Sequence, residues 1–167
     1  MDSDAFAGFY LRSAPALRAY LVRVSGNTAL ADDLMQESYL RFLCASCPEG
    51  GEVNYRRYLY RIATNLLRDH WRRPRAACIE DVPEGLLAAR DALSSIDSRA
   101  ILDPAMARMR PRERQLLWLA HAEGYSHREI SEITGLSVAG IRLLLFRARH
   151  KIARLLRKRI DSVRGKV

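Results

Sequence analysis

Long apolar runs are missing from this sequence: none approaches the roughly 18 residues that a membrane-spanning helix needs. The N-terminus, MDSDAFAGFY, begins acidic and lacks the basic and apolar segments of a secretory signal peptide. We therefore expect a cytoplasmic protein with no membrane insertion. Strand-like alternation of β-branched residues is also missing, and glycines and prolines fall between long periodic segments, which predicts an all-α fold.

Residues that carry chemistry are scarce as well. The three cysteines, Cys44, Cys47 and Cys78, are an odd number, which does not suggest a disulfide framework. The CxxC pair could form a redox switch or bind a metal with Cys78 and His70, but a closed zinc site would show a second, comparably spaced ligand pair. We interpret the thiols as buried or incidental. Because no glycine-rich phosphate loop, nucleophile constellation or metal cluster is present, the sequence predicts neither an enzyme nor a cofactor.

What the sequence does have is basic charge, and this charge is concentrated at one end. The net charge is +9, and residues 142–167 carry ten Lys and Arg against one acidic residue. Localised positive charge indicates a polyanionic partner, either nucleic acid or anionic lipid, with a solvated helix face as the alternative. Hydrophobic residues make up 49% of the chain, which is enough to build a core and disfavours disorder throughout.

Breaks in the helical pattern divide the chain into two small helical domains. The predicted boundaries are a first domain at 1–73, an acidic linker at 74–101, a second domain at 102–160 and a basic tail at 161–167. Local signals predict a turn and helix start at 25–33, a loop at 47–54, a break with two prolines at 72–85, a short helix around 85–93 and a further break at 102–106. The linker is predicted to be flexible because it shows no sustained apolar period.

In the second domain, signals for helix starts and stops follow one another from Pro111. Pro111 suits a first helical position, and Gly124 suits the end of the same helix. Ser126 lies three residues before Glu129, which is the spacing of a capping box, and Gly135 ends the short helix that this box opens. The inward-facing positions of these two helices are Leu116, Leu117, Ala120, Ile130 and Ile133. A short helix, a turn and a long basic helix together predict a helix-turn-helix.

The long basic helix begins after Ser137, which can cap it. One stripe of this helix is apolar at helical spacing: Ile141, Leu145, Ala148, Ile152, Leu155 and Leu156. The remaining surface is basic, through Arg142, Arg147, Arg149, Lys151, Arg154, Arg157 and Lys158. A membrane-surface helix would keep its apolar stripe free for lipid. Here the two preceding helices supply a protein surface that covers the stripe, which favours DNA as the partner.

The first domain contains two helical segments with distinctive polar faces. LADDLMQESYLRFL, at 30–43, has an apolar face formed by Leu34, Met35, Ser38, Tyr39 and Phe42. NYRRYLYRIATNLLRDHWRR, at 54–73, interleaves six arginines with Tyr55, Tyr58, Tyr60 and Trp71. Arginine can hold phosphates while aromatic rings stack on unpaired bases, which predicts single-strand binding. The alternative is that some of the tyrosines belong to the core, with Leu59, Ile62, Ala63, Leu66 and Leu67.

These segments carry a family resemblance. ADDLMQESYLRFL followed by YRRYLYRIATNLLRDHWRR resembles region 2 of the extracytoplasmic-function (ECF) group of bacterial sigma-70 factors. RMRPRERQLLWLAHAEGYSHREISEITGLSVAGIRLLLFRARHKIARLL resembles region 4 of the same family, and the resemblance covers about 1–73 and 102–160. It implies a sigma factor, a dissociable subunit without chemistry of its own that directs RNA polymerase to promoters. Such a subunit binds the −35 element and opens the −10 element.

The resemblance also implies three sets of site residues. The residues that match the segment binding the β′ clamp helices are Asp32, Asp33, Gln36, Glu37 and Arg41. The residues that match the −10 regions, which hold an extruded base, are Asn54, Tyr55, Arg57, Tyr58, Arg61, Asn65, Arg68 and Arg72. The residues assigned to the −35 element are Ser126, Arg128, Ser137, Val138, Ala139, Arg142, Leu143, Phe146, Arg147 and Arg149. The implied partners are RNA polymerase core, through its β′ clamp helices and β flap, promoter DNA and an anti-sigma factor.

The recognition helix departs from the family pattern. The family often has Thr-Val-Lys-Ser-Arg where this sequence has GIRLL at 140–144, so one polar residue and one arginine have become leucines. Leu143 and Phe146 are predicted to point away from the buried stripe, toward thymine methyl groups or a protein partner. Three alternatives stay open: a helix-turn-helix regulator that acts without polymerase, a membrane-surface or adaptor protein, and a sigma homologue that binds polymerase but reads the −35 element poorly.

Overall fold

The computed structural model describes residues 2–45, 49–72 and 96–164, and gives side chains there except at 96–101, 159 and 162–164. All regular structure in these ranges is helical, as the sequence predicts. The helices are α1 (Ser3–Ser25), α2 (Thr28–Cys44), α3 (Gly51–Arg72), α4 (Ile96–Ala107), α5 (Pro111–Leu117), α6 (His127–Thr134) and α7 (Val138–Arg164). The short helix predicted around 85–93 lies outside the described residues. Among the described residues, no helix is both long enough and apolar enough to span a membrane.

The N-terminal unit, α1 to α3, is connected by turns that the sequence largely predicts. Gly26 ends α1 in the left-handed region with φ 72°, and the Asn27 side chain then caps α2, which confirms the predicted turn and helix start. The loop predicted at 47–54 is wrong over its last four residues, because α3 already begins at Gly51. Gly50 and Gly51 have φ of 105° and 78°, which turns the chain early enough to start the helix there.

Aromatic side chains fill the centre of the N-terminal unit. Phe9 stacks on Phe42 with ring centroids 5.2 Å apart, and Tyr20 lies 5.1 Å from Tyr60. All four rings are almost completely buried. Burial of such rings is the main term that stabilises a small helical bundle, at about 1.5–3 kcal/mol for each large apolar side chain. α3 therefore presents only part of its aromatic content to solvent.

In the C-terminal unit, α4 to α7, the break predicted at 102–106 is wrong. α4 continues through these residues to Ala107 and contains Pro104 in its interior. An interior proline costs a helix about 3 kcal/mol or more. Ala105, Met106 and Met109 are buried, and two buried methionines contribute about 1.5–3 kcal/mol each, enough to offset that cost. Tertiary packing therefore determines that α4 continues through Pro104, and the local sequence pattern does not show this packing.

The helix-turn-helix forms as the capping signals predict. Pro111 is the first residue of α5, which continues into a π-helical turn at Trp118–Ala122 before Gly124 bends the chain with φ 71°. Ser126 and Glu129 form the predicted capping box of α6, and Gly135 ends that helix at φ 74°. The apolar stripe of α7 packs on α4, α5 and α6, with Ile141, Leu145 and Ala148 fully buried.

The two units share one continuous core, which the prediction of two tethered domains did not include. α1 packs on α5, and α3 packs on α6. Gln115 of α5 donates a hydrogen bond of 2.8 Å to the hydroxyl of Tyr20 in α1, and both side chains are buried. Arg114 donates to the carbonyl of Val24 at 2.8 Å. The chain is thus closed on itself, and this closure decides which candidate residues face solvent.

Candidate functional site

The exposed face of α2 carries the five polar residues predicted to bind a protein partner. Asp33, Gln36 and Arg41 are exposed. Glu37 accepts a hydrogen bond of 2.6 Å from Arg41 one turn later. Asp32 is held differently, since Arg18 of α1 reaches both of its carboxylate oxygens, at 2.6 and 3.2 Å. The structure therefore brings the set together on one face, with Asp32 also fastening α2 to α1.

Two leucines on this face escaped the sequence analysis. Leu40 is 58% exposed and Leu43 is 50% exposed. They lie seven residues after Asp33 and Gln36, two helical turns further along the same stripe. Exposed apolar side chains beside charged ones are typical of protein interfaces rather than of a merely solvated helix face. Their spacing of seven residues from Asp33 and Gln36 could have indicated from the sequence that both leucines lie on this face.

The aromatic residues of α3 divide between core and surface. Tyr60 is buried, so the alternative of a core tyrosine is correct for this position. Tyr55 and Tyr58 are half-buried and lie 6.1 Å from the Phe42 ring, centroid to centroid. Trp71 is 42% exposed at the end of the helix. Trp71 was not among the predicted site residues, although its position between the arginines of 68–73 could have indicated a role in the site.

The polar candidates of α3 form two hydrogen-bonded groups along the helix. Near its start, Arg57 donates to the Asn54 side-chain oxygen at 3.2 Å, and the Asn54 amide donates to the Glu49 carbonyl at 2.8 Å. Further along, Arg68 donates to Asn65 at 2.9 Å. A cleft of about 250 Å³ opens beside the first group, and its lining residues are Asn54, Arg57, Tyr58, Arg61 and Glu132. Arg61 and Arg72 are exposed.

The cleft is unusual because one of its walls comes from the other unit. Arg57 forms an ion pair of 2.9 Å with Glu132 and a longer one of 3.4 Å with Glu129, both on α6. Beside it, Arg56 pairs at 3.1 Å with Glu123, whose side chain is only 6% exposed. Sequence reasoning missed these contacts, since nothing in local spacing indicates that α3 and α6 meet.

The start of α7 is built around its cap. The Ser137 hydroxyl accepts a hydrogen bond of 3.1 Å from the amide of Gly140, as the sequence predicts for a capping serine. A Cβ atom at position 140 would lie only 3.0 Å from that hydroxyl oxygen. Glycine here costs roughly 1 kcal/mol of helix propensity relative to alanine, but it lets the capping oxygen approach. Val138 is half-buried and Ala139 is exposed.

Beyond the cap, α7 presents a mixed basic and apolar surface. Arg142 and Arg147 are exposed, while Leu143 and Phe146 are 50% and 59% exposed, as predicted. The Phe146 ring lies 4.3 Å from that of His150, a neighbour that the sequence analysis did not single out. Three further candidates are partly engaged within the unit. Arg149 donates to His121 at 3.1 Å, Ser126 is occupied in its capping box, and exposed Arg128 lies 3.8 Å from Glu132.

Metal chemistry has no support in the described ranges. They contain no group of three or more His, Cys, Asp or Glu side chains that could hold an ion. Cys44 is exposed and free. Cys47 and Cys78 lie outside the described residues, so the predicted absence of a role for the thiols stays a prediction.

Comparison with known protein families assigns both halves of the chain. Residues 9–77 match the family described as Sigma-70 region 2, and residues 99–152 match the family described as Sigma-70, region 4. The RNA polymerase sigma factor CarQ of Myxococcus xanthus is 32% identical over 157 residues, which cover 92% of this chain and 90% of CarQ. The ECF RNA polymerase sigma factor EcfG of Rhodopseudomonas palustris is 31% identical over 159 residues, which cover 92% of this chain and 86% of EcfG.

Solved structures agree on the fold. The sigma factor RpoE of Bartonella quintana, solved in complex with the anti-sigma factor NepR, superposes with a TM-score of 0.74 at 23% identity. The match covers 92% of this chain and 97% of that protein. A complex of PhyRSL with NepR from Sphingomonas sp. Fr1 superposes with a TM-score of 0.63 over 90% of this chain, at 19% identity.

Proposed function

This chain belongs to the ECF group of the sigma-70 family, and from that premise we propose which of its surfaces bind RNA polymerase and promoter DNA. As a sigma factor it directs core polymerase to specific promoters and initiates transcription, and proteins of this family are initiation factors rather than enzymes. The observation that carries the surface assignment is the cleft on α3, where four of the −10 residues meet.

The exposed face of α2 is the proposed docking surface for the β′ clamp helices. It combines Asp33, Gln36 and Glu37 with the exposed Leu40 and Leu43. Charged side chains of this kind set the orientation and rate of association, and the two leucines add apolar area that leaves water on binding. Both kinds of group lie on one stripe of one helix, which matches the shape of a helical partner.

α3 is the proposed −10 surface. Arg57 and Arg61 flank the cleft and can hold phosphates of the non-template strand, and the Asn54 amide can contact a base edge. The half-buried Tyr55 and Tyr58 are anchored against Phe42, so a base that stacks on an exposed ring edge meets a preorganised surface. Stacking and pocket contacts repay the few kcal/mol that base extrusion costs.

The first two turns of α7 are the proposed −35 surface. Ala139, Arg142 and Leu143 are exposed at the capped end, the part of a recognition helix that reaches base edges in the major groove. Exposed Arg147 and Arg157 lie further along and contact phosphates. Leu143 and Phe146 contact thymine methyl groups, so the −35 element is recognised partly through apolar contacts. The same unit contacts the β flap.

An anti-sigma factor is the proposed regulatory partner. Support comes from the solved RpoE of the same fold, which is bound to NepR. Leu143 and Phe146 offer exposed apolar contacts on this chain for such a protein. A pull-down from the native host with tagged chain should recover an inhibitor in addition to polymerase. Recovery of polymerase alone under all growth conditions would contradict this part of the proposal.

Reconstitution of holo-polymerase tests the proposed function. Purified chain is mixed with bacterial core polymerase, separated on a sizing column and tested for transcription from a genomic DNA library. Stable association with discrete new start sites is the expected result. Association without start sites would contradict the −10 and −35 assignments. DNA binding without association would instead indicate a helix-turn-helix regulator that acts without polymerase.

A further inference from the structure

We infer that His150 is a phosphate contact of the −35 surface and that it makes this contact only as an imidazolium, so that binding of duplex DNA takes up one proton. This inference rests on the proposed assignment of α7 to the −35 element and adds a residue that the −35 set does not include. His150 is exposed on α7. It lies four residues after Phe146 and seven after Leu143, so the three side chains share one outward stripe of the helix.

The position of His150 along the helix selects a phosphate rather than a base as its partner. α7 begins at Val138, and the helix from there to His150 is about 18 Å long at about 1.5 Å per residue. The first residues of a recognition helix contact base edges, in a major groove about 12 Å wide. A side chain this far along the helix lies past the groove floor, where it meets the sugar–phosphate backbone at the rim.

The hydrogen bonding of the imidazole ring fixes what it can offer a phosphate. Nδ1 of His150 lies 3.1 Å from the carbonyl oxygen of Phe146, whose ring lies 4.3 Å away, centroid to centroid. A carbonyl oxygen only accepts, so the hydrogen of the neutral ring is on Nδ1, and Nε2 keeps a lone pair. A phosphate oxygen also only accepts, and Nε2 can therefore donate to it only after binding a second proton. The resulting contact is a charge-assisted hydrogen bond.

The surroundings of His150 supply positive charge. The charged groups nearest to it on its own face of the helix are Arg147 and Arg154, about one turn before and after it, and both are exposed. His121, in the turn after α5, accepts from Arg149 instead. Among the described side chains of α4, α5 and α6, on which α7 packs, none forms an ion pair or hydrogen bond with His150. The anion for its cationic form comes from outside the chain, and the two arginines attract phosphate to the same place.

The proton uptake has a definite sign. Because the complex holds a proton that the free neutral ring lacks, affinity for duplex DNA rises as the pH falls through the range of about 5–8 in which histidine ordinarily titrates. The added cation also changes the salt dependence of binding. Each phosphate that a protein neutralises on duplex DNA steepens the fall of log K with log salt concentration by about 0.9.

A binding titration with the full chain tests the inference. The probe is a short fluorescent duplex that the chain selects from a random pool, and its affinity is measured at pH 6 and pH 8 over a series of salt concentrations. The ratio of affinity at pH 6 to that at pH 8 should be about fivefold larger for wild type than for His150→Gln. The salt slope of wild type should be steeper by about 0.9 at pH 6, whereas that of His150→Gln should change less between the two pH values by the same amount.

Two further variants are the controls. His150→Lys keeps a cationic donor at both pH values, so its salt slope should be as steep at pH 8 as at pH 6. His121→Gln removes another exposed histidine of the same unit and should keep the wild-type excess over His150→Gln. The tautomer is read from the imidazole nitrogen shifts of isotopically labelled free chain at pH 8, where we expect the hydrogen on Nδ1 of His150. The spectrum of His150→Gln identifies the signal.

Three results would overturn the inference: a wild-type pH ratio no larger than that of His150→Gln, a wild-type salt slope that changes no more with pH than that of this variant, or a free neutral ring with its hydrogen on Nε2. A chain that selects no duplex would overturn it together with the −35 assignment. Failure of the proposed function has a different signature. It appears as wild-type chain that does not transcribe in the reconstitution, whereas duplex binding is measured without polymerase.

Discussion

The hydrogen bond between Tyr20 and Gln115 joins the two units at a buried position, so its energy reports whether the closed chain exists in solution. The Tyr20 hydroxyl accepts from Gln115 at 2.8 Å and also bonds Thr64 at 2.7 Å. Burial raises the pKa of Tyr20 to about 12, so the phenol stays neutral at ordinary pH. The bond to Thr64 lies within the N-terminal unit, and the bond to Gln115 crosses between units.

The magnitudes follow from what each substitution leaves behind. Tyr20→Phe removes both bonds and strands the Gln115 amide, and an unpaired buried donor costs about 1–3 kcal/mol. Thr64 can redirect its hydroxyl to a carbonyl of its own helix, so it adds little. We expect Tyr20→Phe to lower the free energy of unfolding by about 2–3 kcal/mol and Gln115→Leu by about 1–2 kcal/mol. The double variant should lose about 1 kcal/mol less than the sum, because both changes remove the same bond.

A double-mutant cycle measured by urea unfolding, followed by circular dichroism, checks this expectation. The matched control is the cycle of Tyr20→Phe with Thr64→Val, whose coupling of about 1 kcal/mol persists whether the chain is open or closed. A Tyr20–Gln115 coupling below about 0.3 kcal/mol, with the control coupling intact, would refute the closed arrangement, because additive effects indicate residues that do not touch.

Three other expectations concern separate surfaces. Asp33→Lys combined with Glu37→Lys should abolish co-purification with core polymerase while the circular dichroism spectrum stays unchanged; normal co-purification would contradict the docking surface. Arg142→Ala should weaken −35 binding by about 1–3 kcal/mol with relaxed specificity, whereas Arg157→Ala should weaken binding to all sequences equally in a fluorescence titration. Hydrogen bonds from the Ser126 backbone and hydroxyl lower the pKa of Glu129. Its contribution to stability is therefore full above the ordinary pKa of 4.5 and is lost as pH falls through the lowered value, so Glu129→Gln should flatten that part of an acid-unfolding curve.

Local signals in the sequence predicted the parts of the fold that depend on neighbouring residues. The Ser126–Glu129 box, the glycine at 135 and the serine at 137 each satisfy backbone groups within a few residues, so spacing alone identifies them. The outward direction of Leu143 and Phe146 followed from helical periodicity in the same way. The residues that determine these features lie close together in the sequence, and the structure agrees with the predictions made from them.

What could not be predicted depends on contacts between distant segments. α4 runs through Pro104 because Met106 and Met109 are buried by other helices, and no window around the proline contains that information. The pairing of Arg57 with Glu132 joins residues 75 positions apart. The exposure of Leu40 and Leu43 is a different case, because their helical register with Asp33 and Gln36 is local information that could have indicated it.

The π-helical turn at Trp118–Ala122 is a point where the chain length can change without loss of this closure. The amide of Glu123 donates to the carbonyl of Trp118, five residues back, so the turn holds one residue more than an α-helical turn would. Both Glu123 and Tyr125, which meet Arg56 and Tyr60 across the interface, follow directly after it. Deleting one residue there would leave the same amide and carbonyl four residues apart, which is the ordinary α-helical hydrogen bond, so the following backbone would keep its direction relative to α5. The family could thus lose this one residue in evolution while Glu123 and Tyr125 keep their places opposite Arg56 and Tyr60.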